Sequence, residues 1–362
     1  MPFKSVSFYG FRNLNDSEID LLGKEVYFVG INGQGKSNIL ETLYLSSYGN
    51  SFRTNIDSEM ICFGKDSFGI KSIFINDSGI ENDINIIYRE REKTIKKNGK
   101  VIKDRKELIN TIPCVLFCHE DLDFVIGSPE RKRWFLDQTL SMYQDSYIGE
   151  IRKYKKILKT RNLILKEQNL SRNSVLDTLD IQLVLSGIEI QHKRKECIDE
   201  FNTIFSAVYE EISGIDGVRL KYEPSWKNND FDSVIEELKS KRDSDYFMKT
   251  TMSGIHRDKI KFFRKNIQFV PSSSTGQRRI LALLLRVSQA NFYYKKTYIK
   301  PVLLMDDVLL ELDIDKRKKF IGMLPEYDQL ICTFLPQEPY DEYKTDETKV
   351  YFISEGMWSK NE

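Results

Sequence analysis

One octapeptide limits what this chain can fold into more than any other feature. Gly30-Ile-Asn32-Gly33-Gln-Gly35-Lys36-Ser37 follows the apolar run Val26 to Val29 and leads into a segment with Ile39, Leu40, Leu43 and Tyr44 on one helical face. A buried strand, a glycine-rich loop and a helix with the spacing G-x-x-x-x-G-K-[ST] form a phosphate-binding loop. The glycines let successive backbone N–H groups point at phosphate oxygens, and the helix N-terminus adds the positive end of its dipole. Gly30, Asn32, Gly33, Gly35, Lys36, Ser37 and Asn38 are therefore expected to hold ATP, with Lys36 on the β and γ phosphates and Ser37 on Mg2+.

A second element completes such a site. Val302-Leu-Leu-Met305 delivers Asp306 and Asp307 at the end of a strand that reads as buried. Asp306 is expected to hold Mg2+ through its water shell, and Asp307 to orient or deprotonate the attacking water. Lys36 and Asp306 lie 270 residues apart, much farther than in ordinary small P-loop enzymes. Further apolar runs at 112 to 117, 330 to 335 and 349 to 353 predict more strands of a mixed sheet in an α/β domain.

Between these runs the pattern changes. From about 130 to 212, Tyr147, Ile151, Tyr154, Leu158 and Leu165, then Ile198, Phe201, Phe205, Val208 and Ile212, recur at helical spacing. The chain thus reads as an ATPase lobe over 1–125, an inserted helical lobe over 126–240, and the rest of the ATPase lobe over 241–362. With 55 Lys plus Arg against 54 Asp plus Glu the net charge is +1, so any nucleic-acid surface must be a local patch. The N-terminus lacks the pattern of a secretory signal and no run approaches about 18 apolar residues, which predicts a cytoplasmic protein with no membrane partner. The five cysteines show no repeated spacing. Cys114 and Cys118, next to His119, fit core residues of a strand better than zinc ligands.

The remaining motifs carry a family resemblance. Ser274-Thr275-Gly276-Gln277, ahead of an apolar helix and 238 residues after Lys36, is similar to the ABC signature loop. Glu311-Leu312-Asp313 looks like the D-loop that follows the second motif. Three more stretches resemble the RecF family of SMC-like ABC ATPases: Gly10-Phe11-Arg12-Asn13; Glu120-Asp121-Leu122 through Gly127-Ser128-Pro129-Glu130-Arg131-Lys132-Arg133 and Phe135-Leu136-Asp137; and Ser253-Gly254-Ile255-His256-Arg257-Asp258. The resemblance implies an ABC-type ATPase head with a helical insertion. It also implies a homodimer formed on ATP, binding to double-stranded and gapped DNA, and work with RecR, RecO and RecA in recombinational repair. Ser274, Gly276, Gln277 and Asp313 would then meet nucleotide across the dimer interface, and Arg12 would contact phosphate.

Three departures matter. Ile255 replaces an expected Pro, Asp307 is one methylene shorter than the usual Glu, and Thr333-Phe334 stands where transporter ATPases carry a switch His, which points to slow turnover, while the resemblance implies weak hydrolysis stimulated by DNA. His256 and Arg257 read either as a γ-phosphate sensor or as a brace. Arg131, Lys132 and Arg133, with Lys153, Lys155, Lys156 and Lys159, form the candidate DNA face, against the plain reading of a solvated helix surface. A transporter subunit would place its signature much nearer Lys36. An SMC-like partner of a nuclease would carry long coiled-coil arms and a zinc hook, and the sequence has neither.

Overall fold

The computed structural model describes residues 1–360 apart from 77, 110 and 168–172. The chain forms two compact units, Met1–Asp121 with Leu285–Glu362, and Leu122–Leu284.

In the first unit β3 (Glu25–Val29) is buried along its whole length. It pairs in parallel with β13 (Gln329–Phe334) and β14 (Thr348–Ser354). The sheet order is β15-β14-β3-β13-β12-β8, where β12 is Val302–Met305, β8 is Cys114–Phe117 and β15 (Met357–Lys360) is the single antiparallel member. Covering on both faces is why these strands read as unbroken apolar runs. Cys114 and Cys118 are buried in this core.

The second sheet is antiparallel, in the order β2-β1-β4-β5-β6-β7. Its strands are β1 (Phe3–Tyr9), β2 (Ser17–Asp20), β4 (Ser67–Ile75), β5 (Glu81–Arg89), β6 (Glu92–Lys97) and β7 (Lys100–Val101). Helix α1 (Lys36–Tyr48) shares one core with both sheets: Ile39 and Leu43 belong to the same buried cluster as Val6 and Ile84 of the antiparallel sheet and Phe28 and Ile331 of the mixed sheet. Every residue from Ile39 to Tyr48 is therefore buried, which corrects the single apolar face predicted for it. Its hydroxyls are satisfied internally, Thr42 donating to the Ile39 carbonyl at 2.7 Å and Ser46 to that of Thr42 at 2.9 Å. The short α2 (Lys106–Ile109) also belongs to this unit.

The second unit holds α3 (Asp123–Ile126), α4 (Pro129–Ser141), α5 (Tyr147–Glu167), α6 (Asn173–Ser213), α7 (Phe231–Ser240) and α8 (Arg242–Met248). A three-stranded sheet of β9 (Val218–Glu223), β10 (Lys259–Arg264) and β11 (Ile267–Gln268) packs with them, followed by α9 (Phe269–Ser272). Residues 241–284, which the sequence pattern places in the ATPase lobe, are part of this unit. The reason is the pairing of β10 with β9, from Lys259 opposite Glu223 to Arg264 opposite Val218. Helix α10 (Thr275–Thr297) runs through the boundary, and α11 (Ile314–Gly322) follows β12 in the first unit.

Buried ion pairs hold the second unit. Arg161 is fully buried and bonds Asp180 at 2.6 Å and Asp245 at 2.7 Å. Arg194 bridges Asp137 and Asp258, each at 2.9 Å, and donates to the Ile255 carbonyl at 2.8 Å.

Candidate functional site

The loop between β3 and α1 is shaped by its glycines. Gly35 sits at φ 115°, a left-handed conformation that side-chain-bearing residues rarely adopt. The loop is braced from outside. The Gly356 amide donates to the Gln34 carbonyl at 3.0 Å, and the Asn13 side-chain amide donates to the Gly33 carbonyl at 2.9 Å. Asn38 in turn donates to Asn13 at 2.6 Å. A cavity of about 430 Å3 opens over the loop, lined by Asn32, Gly33, Gly35 to Asn38, Arg53 and Asp307.

Lys36 is 3% exposed; its ammonium donates to the Gly30 carbonyl at 2.6 Å and lies 3.7 Å from Asp307. Ser37 donates to Asp306 at 2.8 Å. A hydroxyl beside a carboxylate is a hard oxygen pair that suits Mg2+. Burial pushes the Asp306 carboxyl up to about 6, and Asp307 adds to the rise against the hydrogen bonds from Ser37 and Thr333. A cation arriving between these groups would favour the ionised form.

Thr333, which reads in the sequence only as a missing histidine, organises this acidic pair. Its hydroxyl accepts from the Asp307 amide at 2.8 Å and lies 2.8 Å from the Asp307 carboxylate and 3.1 Å from that of Asp306. Asp307 adopts a left-handed backbone at φ 51°, which Asp tolerates better than most residues. The amide bond to Thr333 fixes that turn.

Nothing in the sequence singles out Arg53. It reaches the cavity because the Ser51 hydroxyl accepts from the Arg53 amide at 2.9 Å and turns the chain back toward Asn38, to which Arg53 donates at 2.7 Å. Behind it Glu41 is completely buried and takes a two-pronged bond from Arg12 at 3.0 and 2.8 Å. Arg12 also donates to the Glu59 carbonyl at 2.8 Å. Three of its donors thus serve the protein in this structure, and Arg53 lines the cavity.

In the second unit Ser274 and Gln277 form a reciprocal cap at the start of α10. The Ser274 hydroxyl accepts from the Gln277 amide at 3.2 Å, and the Gln277 side chain accepts from the Ser274 amide at 2.8 Å. Ser274, Thr275 and Gly276 are exposed, and the space beside Gly276 is open. Asp313, in the first unit, caps α11 by accepting from the Lys316 amide at 2.9 Å and is also exposed. The side chain of Glu311 lies outside the described residues.

His256 and Arg257 are both bonded within the second unit. The His256 ring meets the Tyr154 hydroxyl at 2.9 Å and the Thr251 carbonyl at 3.0 Å, and Arg257 donates to the same carbonyl. Burial is the main cause that lowers the imidazole to about 4, so it stays neutral in the fold while an unfolded chain protonates it near 6.5. The stability this contributes is complete above the unfolded value and is lost as pH falls from there toward about 4. Wild type is expected to lose about 2 kcal/mol more than His256→Gln between pH 7 and pH 5, measured by urea unfolding.

The candidate DNA residues separate. Arg133 donates to the Asp258 carbonyl at 2.8 Å and Lys132 is partly buried, so desolvation lowers both. The Arg131 guanidinium lies 5.8 and 5.7 Å from the ring centroids of Phe124 and Trp134, which stack on each other, and 3.4 Å from Asp123. Lys153, Lys155, Lys156 and Lys159 are exposed on α5, which has no acidic residue between Ile151 and Lys166. Of the expected cluster, only the α5 residues present a free basic face.

A mixed sheet carrying this phosphate loop and acidic pair, with a separate Ser-Thr-Gly-Gln helix start, defines an ABC-type ATPase head. The model of the RecF/RecN/SMC N terminal domain matches residues 2–358. The chain is similar to the DNA replication and repair protein RecF of Treponema pallidum (strain Nichols), with 47% identity over 346 residues that cover 96% of this chain and 97% of that protein. The chain belongs to the RecF family. A solved structure of the recombination mediator protein RecF with ATP, in the RecFOR pathway, superposes with TM-score 0.91 at 28% identity, covering 100% of this chain and 98% of the other. An Smc head bound to the C-winged helix domain of ScpA shares the fold at TM-score 0.58 and 16% identity, covering 99% of this chain and 96% of that one.

Proposed function

We propose that this protein is an ATP-gated factor of DNA replication and recombinational repair. The observation that carries the reading is a pair of half-sites in one chain. The phosphate loop and acidic pair form one, and the exposed N-terminus of α10, with Ser274 at its cap, forms the other. Such a helix start is suited to a phosphate. Two copies would each supply one half, so that ATP closes the dimer and hydrolysis releases it. Lys36, Asn38, Arg53 and the loop amides would hold ATP, with Ser37 and Asp306 on Mg2+. Asp307 would orient the water, and Asp313 would face the second copy.

Duplex or gapped DNA would lie on the basic face of α5. RecR, with RecO and RecA beyond it, follows as partner from the likeness to RecF of the RecFOR pathway, and the work would take place in the cytoplasm. Among the described residues no helix is long and apolar enough to cross a membrane.

Reversing Lys153, Lys156 and Lys159 to Glu is expected to weaken gapped-duplex binding at least about ten-fold and to flatten its salt dependence by about one slope unit for each phosphate no longer neutralised. Titration at several salt concentrations checks this. ATP binding is expected to stay at the wild-type level, and unchanged DNA binding would move DNA off α5.

A further inference from the structure

A second cavity of the first unit, about 290 Å3 in volume, has no part in the nucleotide site. Four aromatic rings line it: Tyr27, Tyr327, Phe334 and Tyr343. The centroids of Tyr27 and Phe334 are 4.9 Å apart, and Phe334 stacks on Tyr343 at 6.4 Å. The Tyr343 hydroxyl is buried without a hydrogen-bond partner.

Set into this aromatic wall is the carboxylate of Glu25, 8% exposed. The Tyr327 hydroxyl at 2.9 Å and the Thr348 hydroxyl at 3.0 Å donate to it, and the Tyr27 hydroxyl shares its proton between Glu25 and the Tyr343 carbonyl, each at 3.0 Å. No Lys, Arg or His nitrogen pairs with Glu25 among the described residues. Buried charges are ordinarily paired. Here the acidic side chain lining the cavity has no cationic partner, and the surrounding ring faces attract cations.

We propose that this cavity binds a small organic monocation, an amine or quaternary ammonium on a compact apolar body. An anion would meet the Glu25 charge, and a neutral apolar molecule would leave it unbalanced. Lys318 and Glu342, both exposed, also line the cavity and offset one another. The site adjoins the acidic pair through Met305 and Leu309, which flank Asp306 and Asp307 in sequence.

The test is calorimetric titration of the full chain without nucleotide, using phenethylammonium, phenethyl alcohol and phenylacetate. Phenethylammonium is expected to bind one to one, with the alcohol and the acid at least about ten-fold weaker. Glu25→Gln, which keeps the size of the group and removes its charge, is expected to bring the ammonium down to the level of the alcohol. Tyr343→Ala removes one ring and leaves the three bonds to Glu25 in place, with an expected loss of about ten-fold. Equal binding of ammonium and alcohol, no ammonium binding at millimolar concentration, or full binding by either variant overturns the proposal. Should Glu25→Gln fail to fold, Tyr343→Ala decides. Because nucleotide and DNA are absent, failure here is separate from failure of the repair function.

Discussion

Lys36→Ala is expected to weaken Mg-ATP binding by about 3 kcal/mol, or roughly a hundred-fold, in equilibrium titration with a fluorescent ATP analogue. Hydrogen bonds to a charged partner contribute about 1.5–3 kcal/mol each, and the ammonium is positioned to make more than one to phosphate. The fold is expected to survive. Lys36 bonds one carbonyl, that of Gly30, and lies 3.7 Å from the partly exposed Asp307, so its loss leaves one backbone acceptor unserved, at about 1–3 kcal/mol, and one carboxylate without its cation. Wild-type affinity in this variant would place ATP elsewhere than over the loop.

Arg194→Met is expected to destabilise the second unit by about 3–5 kcal/mol in urea unfolding, because it strands two carboxylates at once. Asp258 is fully buried, and Asp137 is mostly so. Burial already raises the Asp258 carboxyl above its ordinary range while Arg194 opposes the rise. Without the guanidinium the residue would take up a proton at higher pH. Arg194→Lys is expected to recover little, since one ammonium cannot reach Asp137, Asp258 and the Ile255 carbonyl together as a planar fork does. A destabilisation below about 1 kcal/mol would show that the carboxylates find other partners.

Much of the nucleotide site is legible in the sequence because its chemistry is local. Glycine spacing, the apolar strand before Asp306 and the Ser-x-x-Gln start of α10 each depend on a few consecutive residues, and each lies where that spacing puts it. What escapes depends on contacts between distant segments. Arg53 reaches the cavity through a turn built on Ser51, and Thr333 meets Asp306 and Asp307 only because β12 and β13 pair in register, Met305 beside Cys332. The antiparallel sheet is hard to read because β4 and β5 bury alternate residues, Phe68, Ile70 and Phe74, then Ile84, Ile86 and Tyr88. No continuous apolar run results. The burial of α1 on every side follows from two sheets sharing it, which no single-helix periodicity encodes.

In the proposed function ATP joins two copies of this chain through complementary halves of one site. Sedimentation of the full chain, with and without Mg-ATP, tests it most directly on wild type, Lys36→Ala and Ser274→Arg. Ser274 is exposed and its cap is local, so the arginine variant is expected to fold and to retain ATP binding while blocking closure. A doubled mass is expected for wild type with Mg-ATP and a monomer for both variants. A wild-type mass that ignores ATP, or a Ser274→Arg protein that still doubles, would contradict it.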